Sequence, residues 1–552
     1  MGWWLQAARY WHTLRHLRPT QVYGRIWFKF SRPKPDFRPA PIRAQTCAIW
    51  HMPARRKPSL IGSSSWIFLN RQGSLSEVGW DGAQREKLWR YNQHYFDDLN
   101  ALDAQDRLVW HRSLLDDWVA QNPAGQGIGW EPYPLSLRVV NWIKWALGGA
   151  ELSKVAEQSM AVQVRWLTSR LEQHLLGNHL FTNAKALIMA GVFFEGPEAD
   201  AWLTEGLRIL ANEVPEQILS DGGHFERSSM YHALTLEDML DLVNITRCFA
   251  TRLSSAQRRQ VADWHTHVRG LHAWLLAMCH PDGEISFFND SSFDIAPSVT
   301  ELDGYARRVM LDLATHPLSG LTHLRESGYI RLARGPAVAL LDVAPLGPDY
   351  MLGHAHADTL SFELSVGTQR VLVNSGVSCY GSSAERLRQR GTAAHNTVVL
   401  NGQNSSEVWG GFRVARRAFP FGLKFKETTY SSEVICAHSG YVRLPGRPVH
   451  HRTWRLDAFG LSVIDRVEGP YQRAEARFHF HPALKVEIDG CKSHGTIILP
   501  DGAVLTWQLN DGTARLEPST WHPRFGSVEP NLCMTVHLVD GRSAMSIRWD
   551  KY

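Results

Sequence analysis

Cysteine is scarce, with seven in 552 residues and none in a C-x-x-C pair. That excludes a disulfide framework and a cysteine zinc site. No apolar run approaches the roughly 20 residues of a membrane span. The first residues lack the apolar core and the small-residue cleavage site of a secretory signal, so a cytoplasmic location is expected. Internal repeats and low-complexity tracts are missing too. Neither sign of charge dominates: 59 Lys and Arg stand against 54 Asp and Glu, a net charge of +5. That balance excludes the concentrated basic stripe of a general nucleic-acid binder. It leaves room for a local basic cleft that attracts an anionic substrate.

What is present is globular: 44% hydrophobic and 20% charged residues, in a chain too long for one ordinary core, so two or three domains are expected. The 22 tryptophans are the unusual feature. Aromatic faces suit sugar rings, and tryptophan also fills cores. Several stand at the start, in MGWWLQAARYWHTLRHLRPTQ, where Trp3, Trp4, Tyr10 and Trp11 alternate with Arg9, His12, Arg15 and Arg18. Such a segment reads either as an amphipathic helix docked on the rest of the chain or as a helix lying on a membrane surface. The second reading adds peripheral membrane contact to the expected partners and a membrane-associated fraction to the cytoplasmic location.

The chain is written in two periods. After a Pro/Arg-rich arm (1–60), VQVRWLTSRLEQHLL, TNAKALIMAGVFF, AWLTEGLRILANEV, LEDMLDLVNITRCFATRL and QVADWHTHVRGLHAWLLAMC carry apolar residues three and four apart. Breakers separate them at Gly177, Pro197, Gly222 and Pro281. The spacing predicts antiparallel helix pairs wound into a bundle or toroid over 61–320. From about residue 325 the period becomes two: YIRLARG, AVALLDVA, LSFELSVG, RVLVNSG, NTVVLNG, GLSVIDRVEG and others are short alternating runs bounded by turn residues. They predict an antiparallel β-sandwich over 321–552. The cleft between two such halves is the expected substrate site.

Four clusters carry candidate chemistry. Gly177-Asn178-His179 sits at a helix junction, where it either caps helices or projects polar groups into a cavity. DGGHFERSSMYH (221–232) gathers His224, Glu226, Arg227, Tyr231 and His232; it is either a solvated turn or an acid–base site built on Tyr231. His354-Ala-His356-Ala-Asp358 leads into a strand, and residues two apart on a strand share a face, so His354 and His356 are expected in one site. RGTAAHNTVVLNG (390–402) places His395 before another strand. His356 and His395 can share a metal if their strands pair.

In order and spacing these segments resemble the heparinase II/III-like family of polysaccharide lyases, with its related alginate and oligoalginate lyases. The resemblance spans most of the chain. It rests on LWRYNQHYFDDLN (88–100), WEPYPLSLRVVNW (130–142), GNHLFTNAKAL (177–187), DGGHFERSSMYH (221–232), PDGEISFFNDS (281–291), HAHADTLSFEL (354–364) and RGTAAHNTVVLNG (390–402). It implies an incomplete (α/α) toroid followed by an antiparallel β-sandwich. It also implies β-elimination on a uronic-acid glycan, an acidic polysaccharide or oligosaccharide. Asn178 and His179 are then the groups that neutralise the uronate carboxylate, Tyr231 the catalytic acid or base, and His354 its partner. Glu226, Arg227 and Tyr380 are the expected substrate-binding side chains. His356 and His395 resemble two ligands of the family's structural zinc. The third, an Asp in the family, is Asn374 here, a neutral and weaker ligand. A second tyrosine that some members carry upstream of the R-S-T run is replaced by Leu387, with Tyr380 as the nearby substitute. Two other classes remain beside the lyase: a non-catalytic glycan-binding or assembly protein on the same fold, which the Asn at 374 favours, and a metal-dependent hydrolase using the H-x-H pair.

Overall fold

The computed structural model describes residues 3–310, 313 and 318–549. Two short helices open the chain, α1 (Trp3–Leu14) and α2 (Pro19–Phe30). Beyond them the arm is woven into the helical part rather than lying free. Ile42–Arg43 pairs antiparallel with Phe194–Glu195, and the backbone of Ala44 donates to Phe193 O at 2.8 Å.

The three-and-four periodicity becomes a run of helices from Lys87–Tyr95 to Val299–Val309. The longest include Pro132–Leu147, Gly177–Phe193, Pro197–Gln217, Ser229–Cys248 and Ser255–Ala277. Two glycines set one close crossing. A Cβ at Gly191 would meet Leu203 N at 2.5 Å, and one at Gly206 would meet Ala184 O at 2.8 Å. Helices Gly177–Phe193 and Pro197–Gln217 can approach this closely only because those side chains are missing. The segment expected to be helical through Leu176 instead ends its helix at Thr168. Residues 169–176 form turns, and this break turns Glu172 toward the next helix.

The strand part holds antiparallel sheets. Five strands run as a sequential meander from Gly320–Leu324 to Gln369–Leu372. A four-stranded sheet is ordered Val398–Leu400, Ala474–His479, Glu529–His537, Ala514–Trp521. An eight-stranded sheet carries Pro420–Glu427 at one edge and Lys485–Ile488 at the other. Ile330, Phe362, Val398, Trp454, Phe478 and Trp507, drawn from all three, pack in one apolar core. Within it, Arg452 and Asp465 pair at 2.7 Å, His450 bonds the same carboxylate at 2.7 Å, and Arg452 also donates to Leu360 O at 2.8 Å. The helical core is not closed to the strand part, since it takes in Val373, Val377, Trp521 and Phe525.

Candidate active site

A cavity of about 1980 Å³ lies between the helical and strand parts, lined by both and edged by α1 and α2. Tyr91, Trp130, Tyr133 and Phe412 give it aromatic walls.

Tyr231 enters it from the first turn of helix Ser229–Cys248. Ser228 caps that helix, accepting from Tyr231 N at 3.1 Å, and anchors it by donating to Asp290 O at 2.5 Å. The phenol oxygen lies 3.0 Å from that of Tyr380. Burial pushes both phenols well above the ordinary tyrosine value, helped at Tyr231 by the neighbouring phenols and at Tyr380 by the Asp290 charge against the opposing pull of Arg386, so both are neutral proton donors. His354 stacks on Tyr231 with ring centres 4.0 Å apart and planes 14° apart. Its Nδ1 bonds the carboxylate of Glu226. Burial works against charge on Glu226, but His354 beside it holds the carboxyl below its usual range. A carboxylate accepting at Nδ1 fixes the proton there and leaves Nε2 its lone pair.

Asn178 and His179 line the same cavity from the start of helix Gly177–Phe193. His179 Nδ1 lies 3.1 Å from Glu172, which also accepts from Asn183 at 3.1 Å, and its ring packs on Tyr133 at 4.5 Å. Burial disfavours the imidazolium, yet the Glu172 carboxylate outweighs it and raises His179 above the ordinary histidine value. Gly177 has φ +54°, and a Cβ there would strike Met351 Sδ at 2.7 Å. Glycine at this position lets the loop carrying His354 close over the helix start.

Several expectations need correction. His354 and His356 do not share a face, because the segment is a loop rather than a strand. His354 faces the cavity, whereas His356 is fully buried and bonds Asp290 at 2.8 Å. Glu226 is not a substrate contact: it is 4% exposed, lies outside the cavity lining and is engaged by His354. Arg227 is turned away altogether, with its guanidinium donating to Ser327 O at 2.9 Å and Glu326 O at 3.3 Å. Asn374 is not a third metal ligand. Its Oδ1 accepts from His395 Nδ1 at 3.2 Å, on the side of the ring away from His356. Leu387 stays out of the cavity lining; Tyr380 is in it.

His356 Nδ1 and His395 Nε2 face each other at 3.3 Å, and the Asp358 carboxylate completes a cluster whose ligand atoms lie within 4.8 Å. Burial lowers His356 to about 4 and His395 to about 3, so both rings are neutral, as metal ligands must be. The nitrogen separation is the edge of a tetrahedron with zinc–nitrogen bonds of about 2.0–2.1 Å, so the donor set fits zinc.

Sequence reasoning missed Asp290, Arg386 and Glu172, and it held Asp358 only as the substitute for Asn374 at the metal cluster. Against the cost of burial, Arg386, 2.6 Å away, and His356 hold Asp290 far below the usual carboxylate range. The signal for Asp290 was present in PDGEISFFNDS, but nothing in it shows which histidine the carboxylate meets.

Comparison with known protein families matches two models to this chain: heparinase II/III N-terminus over residues 107–306 and heparinase II/III-like, C-terminal, over 316–550. The heparin-sulfate lyase of Bacteroides stercoris is 26% identical over 253 residues, 42% of this chain and 37% of the relative. The chain thus spans under two fifths of the length of the heparin-sulfate lyases it matches. FtsZ-localized protein C of Caulobacter vibrioides is 23% identical over 81% of this chain and 80% of its own. The crystal structure of heparinase III superposes with a TM-score of 0.66 at 18% identity, over 84% of this chain and 76% of that one, a likeness of fold.

Proposed function

Because the chain belongs to the heparinase II/III-like family, we propose that it is a polysaccharide lyase, a carbon–oxygen lyase that cleaves a uronic-acid glycan by β-elimination. The observation that carries this reading is one cavity wall on which Tyr231, Tyr380 and a Glu226-bound His354 meet. In this reading the helical part closes as an incomplete (α/α) toroid against a β-sandwich, with the division at 320/321.

The C5 proton of a uronate is weakly acidic because the adjacent carboxylate is negative. Removing it requires donors that absorb the charge growing on that carboxylate. Asn178 offers an amide, and His179, whose cationic form the Glu172 carboxylate favours, offers a ring N–H donor. His354 takes the C5 proton at Nε2, and the imidazolium so formed is stabilised by Glu226. A phenol buried this deeply is a poor base, so Tyr231 instead donates to the departing 4-oxygen, with Tyr380 as its hydrogen-bonded neighbour. The electron pair of the C5–H bond becomes the C4–C5 double bond as the C4–O bond breaks. His356, His395 and Asp358 would hold a zinc ion, with Asn374 orienting His395 from behind. Zinc there would cross-link the segments around 356 and 395, a structural contribution outside the cavity.

A second reading has one observation in its favour: FtsZ-localized protein C aligns over a larger share of its own length than the lyases do. Under it the chain binds or assembles glycan without cutting it. Incubation with a panel of uronate polysaccharides separates the two. The new double bond of elimination absorbs in the ultraviolet; binding without absorbance gain on any of them sinks the lyase reading.

A further inference from the structure

The faces of α1 and α2 that the protein leaves uncovered are the apolar ones. In α2 the residues turned inward are Gln21, Gly24 and Phe28. Gln21 donates to Tyr350 O at 3.2 Å, Gly24 rests against His174, and Arg170 lies 3.7 Å over the Phe28 ring. The residues turned outward are Val22, Tyr23, Ile26, Trp27 and Phe30, each 51–74% exposed. The same inversion holds in α1. Tyr10 packs on Trp409 at 4.9 Å and Thr13 accepts from the Trp409 indole at 3.1 Å. Trp4, Ala7, Trp11 and Leu14, spaced three and four apart, form one outward stripe in which Trp4 is 77% and Trp11 65% exposed. An ordinary surface helix does the reverse and shows its polar face to water.

Charge on this hairpin is of one sign. Seven Lys and Arg occur before the first acidic residue, Asp36. Among them Arg15, Arg25 and Lys29 are exposed beside the apolar stripes. Exposed tryptophan with basic flanks is the pattern of a helix seated at the headgroup boundary. Each helix has 12 residues, about 18 Å of length, against about 30 Å of hydrocarbon, so both would lie in the interface plane. A second copy of the chain is the poorer occupant, because a two-fold contact would set two such cationic surfaces against each other.

We propose that α1 and α2 form a docking surface for an anionic lipid bilayer. The same two helices edge the cavity through Tyr10, Leu14, Gln21 and Arg25, so docking turns the mouth of the cavity toward the headgroups.

Flotation of the full chain with vesicles tests this. The protein should rise with phosphatidylcholine vesicles containing phosphatidylglycerol, much less with phosphatidylcholine alone, and less in high salt as the charge is screened. The double variant Trp11→Glu, Trp27→Glu should bind at least about tenfold more weakly, from the apolar area lost. Both side chains are exposed and outside the cavity, so its thermal melt should match the parent's. Failure of the parent to bind either vesicle overturns the proposal, as does equal binding by the double variant. A concentration-dependent dimer that the double variant dissolves, without vesicle binding, assigns the surface to a second copy instead. None of these readouts depends on lyase activity.

Discussion

At position 231 a buried phenol lies between a second phenol and the face of an imidazole, and each of these contacts has a measurable consequence. Tyr231→Phe keeps the ring and its stacking on His354 while removing the proton that leaves with the 4-oxygen. Turnover should fall roughly 10²–10⁴-fold with the melting temperature nearly unchanged. Near-normal turnover would remove Tyr231 from the chemistry. His179 supplies a pH dependence. Its value is raised because Glu172 outweighs burial, so the cation persists above the ordinary histidine range and is lost as pH rises through the raised value. KM for a uronate substrate should therefore climb on the alkaline side, and Glu172→Gln should move that climb to lower pH. A KM that ignores pH in both proteins would show that His179 carries no charge to the substrate.

The strands and loops of the second half meet around two buried polar clusters that make opposite demands. Asp465, against its burial, is lowered to about 2 by Arg452 and His450. Asp465→Asn leaves Arg452 buried without its counter-charge and should cost about 3–5 kcal/mol in urea unfolding. A loss under 1 kcal/mol would mean that water reaches the guanidinium. Around His356, His395 and Asp358 the test is elemental analysis after common dialysis. Asp358→Asn should lose zinc more completely than Asn374→Ala, because the first removes a ligand and the second only a hydrogen bond behind one. The opposite order would restore Asn374 as the ligand.

Across the whole molecule, histidines buried as neutral rings set the acid limit of stability. Burial lowers His94, His232 and His479 to about 3 and His224 to about 4. Their stabilising contribution is complete above the ordinary histidine value of the unfolded chain and is lost as pH falls below it, since only the unfolded state takes up the protons. Each ring costs about 1.4 kcal/mol per pH unit over that window, so the melting temperature should drop steeply between about pH 6.5 and 4. A flat profile there would mean that these rings are protonated in the fold. The proposed division at 320/321 has its own test. Val373, Val377, Trp521 and Phe525 are buried in the helical core, so a chain nicked by limited proteolysis near 315–325 should keep its halves together on gel filtration and release them only in denaturant. Free fragments in native buffer would refute the shared core.

Periodicity located most of the helices and strands, because an apolar face must recur at the period of the element that buries it, but it did not show where the helix Lys154–Thr168 stops or that 354–358 is a loop. The helix Gly177–Phe193, from Thr182 onward, and the strands Tyr329–Arg334 and Ala337–Asp342 were legible from their own residues. The motifs also named Asn178, His179, Tyr231, His354 and Tyr380, and the fold brings all five to the lining of one cavity. What a side chain does depends on which way its backbone turns and on what arrives from elsewhere in the chain. His354 and His356 separate because the loop does not keep a strand's alternation, and Glu226, 128 residues from His354, meets it only through the tertiary fold. Arg227 and Asn374 look like site residues in one dimension. In three, a left-handed turn at φ +59° spends the first on backbone carbonyls, and the second lies behind the ring it was expected to join.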